Sequence, residues 1–119
     1  MGEAVKETLA HEPLSRILAK PENEITARDW FFIGSELSRI GRSFKSTKLF
    51  GQHIATTELG KLPPSDRSDA RWIYENWQAV LRWIESQVAG GESDPFGALA
   101  KISLSHPSSI RRGVRKSHV

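Results

Sequence analysis

The chain has 119 residues, with 17 Lys and Arg against 14 Asp and Glu, so that its formal net charge is +3, and it contains no cysteine. The lack of cysteine excludes disulfides, thiolate metal sites and a cysteine nucleophile. The length predicts one domain built around a single hydrophobic core.

Neither a targeting signal nor a membrane span is expected. The first residues, MGEAVKETLAHEP, lack the basic start and the apolar run of about 7 to 15 residues that mark a secretory signal. No apolar stretch approaches the length of about 20 residues that a transmembrane helix needs. We therefore expect a cytoplasmic protein that does not associate with membranes.

The N-terminal part predicts two short helices, at 3–11 and 14–20, and then a strong helix at 26–44. Thr26 can cap this helix, with Asp29 three residues later. Its apolar residues follow a helical period, at Trp30, Ile33, Leu37, Ile40 and Phe44. Gly34 and Gly41 each lower helix propensity by about 1 kcal/mol relative to Ala, which indicates close approach of another helix.

The central part predicts a helix at 47–59 that ends at a left-handed Gly60, then a break at Pro63 and Pro64. A long helix, capped by Ser65 or Asp66, is expected to follow to about residue 89. Its predicted core line is Ala70, Ile73, Trp77, Leu81, Ile84 and Val88.

Trp72 and Trp83 lie off the predicted core line of the long helix. Because tryptophan is favoured where one ring edge is buried and the other is wet, either residue could anchor a partner. A tryptophan-rich helix with two apolar faces also makes a homodimer reasonable.

A last helix is predicted from Asp94 and Pro95 to about residue 104. Residues 105–119 have few large apolar side chains and only positive charge, which predicts a flexible basic tail. The predicted fold is therefore all-α. It consists of a compact bundle of four to six helices at 1–104, with a helix-turn-helix-like central unit and a basic disordered C-terminal tail at 105–119.

Positive charge is concentrated in two groups. Residues 95–119 carry five basic and no acidic side chains, whereas residues 1–94 carry a net charge of −2. The first group is Arg111, Arg112, Arg115 and Lys116, and the second is Arg39, Arg42, Lys45 and Lys48. Such groups attract phosphate backbones, anionic lipid headgroups or acidic protein surfaces. A membrane role for the C-terminal group is weaker, because only Ile110, Val114 and Val119 could insert.

The order of helix, break and helix at 49–77 is that of a helix-turn-helix, in which the second helix contacts base edges. Ser65, Arg67, Ser68 and Arg71 are the residues so placed. Asp66 and Asp69 share that turn and would repel phosphates unless they are held by other groups. The alternative is that these acids stabilise the helix N-terminus while the arginines are simply solvated.

The chain also resembles a known group of proteins over about residues 30–77. An IGxxLxxI helix at Ile33-Gly34, Leu37 and Ile40 precedes Leu59-Gly60 and then Ser65, Arg67 and Ala70. This spacing is similar to that of small helical helix-turn-helix proteins of phages and plasmids. The resemblance implies a DNA-associated protein of a mobile element and implicates Ser65, Arg67 and Arg71.

No motif for catalysis or for a metal is apparent. The histidines, at 11, 53, 106 and 118, form no metal-binding pair, and no nucleophile elbow or phosphate loop is present. We therefore expect no enzyme, no cofactor and no metal ion. Two functions remain as hypotheses. One is a DNA-associated regulator or accessory factor, and the other is an inhibitor or adaptor that docks on an acidic partner surface.

Overall fold

A computed structural model describes residues 13–87, 94–102 and 104–117. These residues form seven α-helices and two short 3₁₀ turns, Glu22–Glu24 and Glu58–Lys61, and they contain no strand. The predicted all-α class is therefore confirmed. The helices are α1 (Leu14–Leu18), α2 (Ala27–Gly41), α3 (Thr47–Ile54), α4 (Pro64–Glu75), α5 (Trp77–Gln87), α6 (Pro95–Lys101) and α7 (Pro107–Lys116).

Helix α2 begins with the predicted capping box. The Asp29 backbone N–H donates to Thr26 Oγ1 at 3.1 Å, and the Thr26 N–H donates to Asp29 Oδ2 at 3.1 Å. Lys20 Nζ also lies 2.9 Å from Asp29 Oδ2. Burial alone would raise the pKa of Asp29, but the hydrogen bonds from Lys20 and Thr26 and the charge of Lys20 together lower it.

Helices α2 and α4 form the centre of the fold and approach each other closely at Gly34. A Cβ atom at Gly34 would lie 2.1 Å from the carbonyl oxygen of Ala70. At Gly41 the same added atom would meet the Arg71 guanidinium at 2.8 Å. The predicted close approach of another helix is thus confirmed at Gly34, whereas at Gly41 the neighbour is the end of the Arg71 side chain.

Two clusters of buried apolar residues lie on either side of this helix pair. The first joins α1, α2 and α3 to α4, through Ile17, Ile25, Trp30, Ile33, Leu37, Ile54, Leu59 and Ala70. The second joins α2, α4 and α5 to α6 and α7, through Ala27, Ile73, Val80, Trp83, Ile84, Ala98, Leu99, Ile110 and Val114. Helices α2 and α4 contribute to both clusters, which explains their central position.

The predicted long helix at 65–89 is instead two helices that meet at Asn76. Asn76 leaves the helical conformation at φ −116° and ψ 32°, and its side-chain amide donates to the Trp72 carbonyl at 2.9 Å. An Asn side chain that bonds its own backbone competes with helix continuation. The break changes the buried face, so that Val80 and Trp83 are in the core while Trp77 is half-buried. The predicted core residue Val88 lies outside the described residues.

The C-terminal segment also differs from its prediction, because residues 107–116 form helix α7 instead of a flexible tail. Pro107 occupies the first turn, and the His106 side chain accepts a hydrogen bond from the Ser108 N–H. Ile110 and Val114, four residues apart, are buried against α4 and α5. Most helical stability in proteins comes from such packing, which composition alone does not show. The predicted boundary at 104 therefore separates no independent tail.

The described part of the chain contains seven helices, whereas four to six were predicted. Helix α3 ends at Ile54, earlier than predicted, and Gly60 lies in the 3₁₀ turn Glu58–Lys61. Helices α3 and α4 follow in the predicted order, but α4 packs mainly against α2 and α7. The helix-turn-helix assignment stays a prediction, and the predicted helix at 3–11 lies outside the described residues. No described helix combines the length and apolar character that crossing a bilayer requires.

Candidate binding groove

A groove of about 410 Å³ lies along the exposed side of α4, between α3 and α7. We call it the arginine groove, because three arginines from two helices line it. Its lining residues are Leu37, Thr47, Phe50, Gly51, Ile54, Pro64, Arg67, Ser68, Arg71, Trp72, Glu75 and Arg111. The groove thus brings together three of the four residues that the sequence predicted on the second helix of the central unit.

Arg71 is held in place by an acid and a ring. Its Nε donates to Glu75 Oε2 at 2.9 Å, and its guanidinium carbon lies 5.0 Å from the centre of the Phe50 ring. Glu75 Oε2 also accepts from Ser38 Oγ at 2.9 Å. Burial alone would raise the pKa of Glu75, but these two hydrogen bonds and the charges of Arg71 and Arg42 lower it.

Arg67 and the two serines occupy the N-terminal part of α4. Arg67 Nη1 donates to the Leu62 carbonyl at 2.6 Å, which holds its guanidinium beside the preceding turn. Ser68 is exposed and lines the groove, whereas Ser65 is exposed and lies outside it. Of the predicted contact residues Ser65, Arg67, Ser68 and Arg71, the structure therefore brings the last three together in the groove.

Arg111 joins α7 to α4. Its Nη1 donates to Asp69 Oδ1 at 2.8 Å, and its guanidinium carbon lies 5.1 Å from the centre of the Trp72 ring. Its Nε is buried and has no hydrogen-bond partner within the described ranges. Arg111 therefore forms one wall of the arginine groove and fixes α7 to the face of α4.

A second depression, of about 420 Å³, begins at Arg111 and continues along α7. We call it the basic depression. It is lined by Asp69, Ser108, Arg111, Arg112, Arg115 and Lys116. The two cavities share Arg111, and together they carry six basic and two acidic side chains, a net charge of +4. All four basic residues predicted in the C-terminal segment thus lie at one surface.

The other predicted basic group does not line either cavity. Arg39, Arg42, Lys45 and Lys48 are exposed around the end of α2 and the start of α3. Arg39 pairs with Glu36 at 2.7 Å, an interaction that raises the pKa of Arg39 through this hydrogen bond and the Glu36 charge. Arg42 contributes to the site by its charge near Glu75. This group therefore lies beside the groove and not in it.

The two tryptophans that were predicted as partner anchors have different environments. Trp83 is buried against α7, where a Cβ atom at Gly113 would lie 2.4 Å from its ring, so an exposed anchor role is excluded in this fold. The reason is the helix break at Asn76 together with the docking of α7. Trp72 is half-buried, lines the arginine groove and is partly covered by Arg111.

The two acidic residues of α4, Asp66 and Asp69, both contact groups from α7 or the loop before it. Asp69 pairs with Arg111, and Asp66 lies 3.4 Å from His106 Nε2. These contacts join residues about forty positions apart, and sequence reasoning missed them. The spacing of Ile110 and Val114 was the available signal, because an apolar pair four residues apart indicates a helix with one buried face.

Comparisons of the chain with protein-family models, curated proteins and solved structures find no match.

Proposed function

We propose that the protein is a small DNA-associated binding protein that holds the phosphate backbone along the arginine groove and the basic depression. The observation that carries this proposal is the continuity of the two cavities at Arg111, which aligns Arg67 and Arg71 with the basic residues of α7. Two basic segments that are distant in sequence thereby form one positive surface. The association with a mobile element is a further expectation that comes from the sequence resemblance.

The type of contact follows from how the arginines are held. Arginine binds phosphate oxygens through paired hydrogen bonds, and Ser68 offers a hydroxyl in the same groove. Helix α4 lies against α2 on one side and α7 on the other, and Arg67 and Arg71 are each tied to their own helix or its preceding turn. Such a helix favours contact with the backbone over insertion among base edges.

A binding assay with a fluorescent duplex of about 30 base pairs, titrated at several salt concentrations, tests the proposal. We expect binding by the full chain with a dissociation constant of about 10 µM or tighter at low salt, weakening steeply as salt rises. The triple variant Arg112→Ala, Arg115→Ala, Lys116→Ala removes exposed charges of the basic depression. The variant Arg16→Ala, Lys61→Ala, Arg82→Ala is the matched control, since it also removes three positive charges and all three side chains are exposed and line neither cavity.

The expected slope of log affinity against log salt falls by about 0.9 for each lost phosphate contact, so the triple variant flattens it by up to about 3. The control variant should keep the wild-type slope. No measurable binding to duplex or single-stranded DNA at low salt contradicts the proposal. An equal loss in the triple and control variants also contradicts it, because the attraction then comes from net charge alone.

An acidic protein partner is the second candidate function. The observation that favours it is the apolar lining of the arginine groove, which includes Phe50 and Trp72 beneath arginines. Aromatic residues and arginine dominate the energy of many protein interfaces. Retention of a partner from cell lysate after nuclease treatment, and its loss in Trp72→Ala, would support an inhibitor or adaptor that docks on an acidic surface.

A further inference from the structure

Three side chains that could bind a metal ion meet at the start of α4, and none of them lines the arginine groove or the basic depression. They are Glu22 from the first 3₁₀ turn, Asp66 from the first turn of α4 and His106 from the residue before α7. One ligand atom from each lies within 4.8 Å of the others. The fold therefore assembles two carboxylates and an imidazole from segments about forty residues apart in sequence.

The distances in this cluster fit ligands around a common centre. His106 Nε2 lies 3.3 Å from Glu22 Oε2 and 3.4 Å from Asp66 Oδ1. Zinc ligands at about 2.0 to 2.1 Å in a tetrahedron lie about 3.3 to 3.4 Å from each other. Charge-assisted hydrogen bonds are shorter, at about 2.7 to 2.9 Å. Two of the three distances in the cluster thus match those of a tetrahedral zinc site, and the third, between the two carboxylates, is no more than 4.8 Å.

Asp66 supplies an independent reason to expect a cation. The residue is 8% exposed, and within the described part of the chain its carboxylate pairs only with the His106 imidazole, whose Nε2 lies at 3.4 Å. A buried carboxylate is unfavourable unless a charge or hydrogen-bond donors compensate it. A neutral His106 supplies no positive charge, whereas a divalent cation would compensate both carboxylates.

His106 is oriented as metal-binding histidines usually are. Its Nδ1 lies 2.8 Å from Ser108 Oγ, and its ring contacts Trp30 edge-on at 5.5 Å. With the proton on Nδ1 donated to Ser108 Oγ, the lone pair of Nε2 faces the two carboxylates. Such a hydrogen bond to the second ring nitrogen fixes the tautomer of metal ligands. In the cap of α7, Nδ1 accepts from the Ser108 N–H at 3.2 Å and a neutral ring carries its proton on Nε2, so binding an ion moves the proton to Nδ1 and replaces this hydrogen bond by the one to Ser108 Oγ.

We propose that Glu22, Asp66 and His106 form a three-ligand site for a divalent transition-metal ion of the Zn²⁺ type. An imidazole with two carboxylates favours such an ion over Mg²⁺, which prefers oxygen ligands. Glu22 is exposed, so the ion has a path from solvent, and water would complete the coordination. The ion would join the first 3₁₀ turn, α4 and α7. This proposal is independent of the proposed DNA contact.

The test is a Zn²⁺ titration of EDTA-treated full chain in competition with a chromogenic chelator, followed by Co²⁺ absorption spectra. The ligand variants are Glu22→Gln, Asp66→Asn and His106→Asn, the last of which keeps a side-chain acceptor for the cap of α7. Glu24→Gln and His53→Asn are matched controls, because both side chains are exposed and lie outside the cluster. Far-UV circular dichroism checks that each variant is folded.

We expect one Zn²⁺ per wild-type chain, a visible Co²⁺ spectrum, and at least tenfold weaker Zn²⁺ binding in each folded ligand variant. The controls should bind like the wild type. Zinc should also raise the unfolding temperature of the wild type and not that of His106→Asn. The deciding variant is Glu22→Gln, since its side chain is 68% exposed on a turn and its loss should leave the fold intact. Unchanged binding in Glu22→Gln, or no binding by the wild type, overturns the proposal.

Discussion

The backbone of Ala70 in α4 occupies the space that a side chain at Gly34 of α2 would need, with 2.1 Å between the added Cβ and the Ala70 carbonyl oxygen. Because the obstacle is backbone, it cannot rotate away as a side chain could. The contact therefore sets the distance between the two central helices and, with it, the position of Arg67 and Arg71, which lie on α4 close to Ala70 and line the arginine groove together with Leu37 of α2.

Gly34→Ala should lower the free energy of unfolding by about 3 kcal/mol, because overpacking forces α2 and α4 apart. The matched control is Gly51→Ala in α3, where an added Cβ meets nothing within 4 Å. That control should gain up to about 1 kcal/mol from the higher helix propensity of alanine. Urea denaturation measures both, and a Gly34→Ala variant as stable as the wild type would contradict the observed helix packing.

Ile110→Ala should lower the free energy of unfolding by about 2 to 5 kcal/mol, because Ile110 of α7 is buried within the second core cluster. Arg115→Ala, which changes an exposed residue of the same helix, should alter stability by no more than about 0.5 kcal/mol. Equal stability of the two variants in thermal or urea unfolding would show that residues 107–116 are undocked.

Acid should weaken the packing of α2 against α4, because the pKa of Glu75 is lower in the folded state than in the unfolded chain. The stabilisation by Glu75 is present above its unfolded pKa and is lost as pH falls through the folded value. Its size is below about 1 kcal/mol, since the side chain is 42% exposed and solvent screens the pair.

Glu75→Gln should therefore make the unfolding temperature less dependent on pH between about pH 5 and pH 3, the range in which glutamates titrate. Ser38→Ala, which removes one hydrogen bond to Glu75, should give part of the same effect. A steeper acid dependence in Glu75→Gln than in the wild type would contradict the assigned direction. The hydrogen-bonded Asp29 continues to titrate in both variants and gives the residual slope.

Arg67→Ala and Arg71→Ala should each weaken binding to unrelated duplex sequences by a similar factor, because contacts with phosphate carry no sequence information. Anisotropy titrations with several duplexes of equal length measure this. A loss confined to one preferred sequence would show instead that these arginines contact base edges, as a helix-turn-helix would. Unfolding measurements on both variants provide the control for lost structure.

Local signals made part of the fold predictable. The capping box at Thr26 and Asp29 and the close helix contact at Gly34 are encoded within a few residues, and the structure confirms both. The break at Asn76 was missed because an apolar period continues through it. Helix α7 was missed because its stability depends on a docking surface formed by α4 and α5, and the pair Ile110 and Val114 was its local signal.

The candidate site, like the fold, could be predicted from the sequence only in part. Sequence position was enough to select Arg67, Ser68 and Arg71, which share one face of α4. The pairing of Asp69 with Arg111 joins residues 42 positions apart, and the meeting of Glu22, Asp66 and His106 spans a greater length of chain. Contacts of this kind depend on the packing of whole helices, so composition and spacing could not predict them.

Because Arg111 reaches the groove only when α7 is docked, ligand affinity and helix docking are thermodynamically linked. The apparent dissociation constant equals the intrinsic constant divided by the fraction of molecules with α7 in place. A core substitution such as Val114→Ala, far from any ligand atom, should therefore reduce affinity in proportion to the docked population. By the same linkage, a bound polyanion should slow amide hydrogen exchange in α7, even at residues that it never touches.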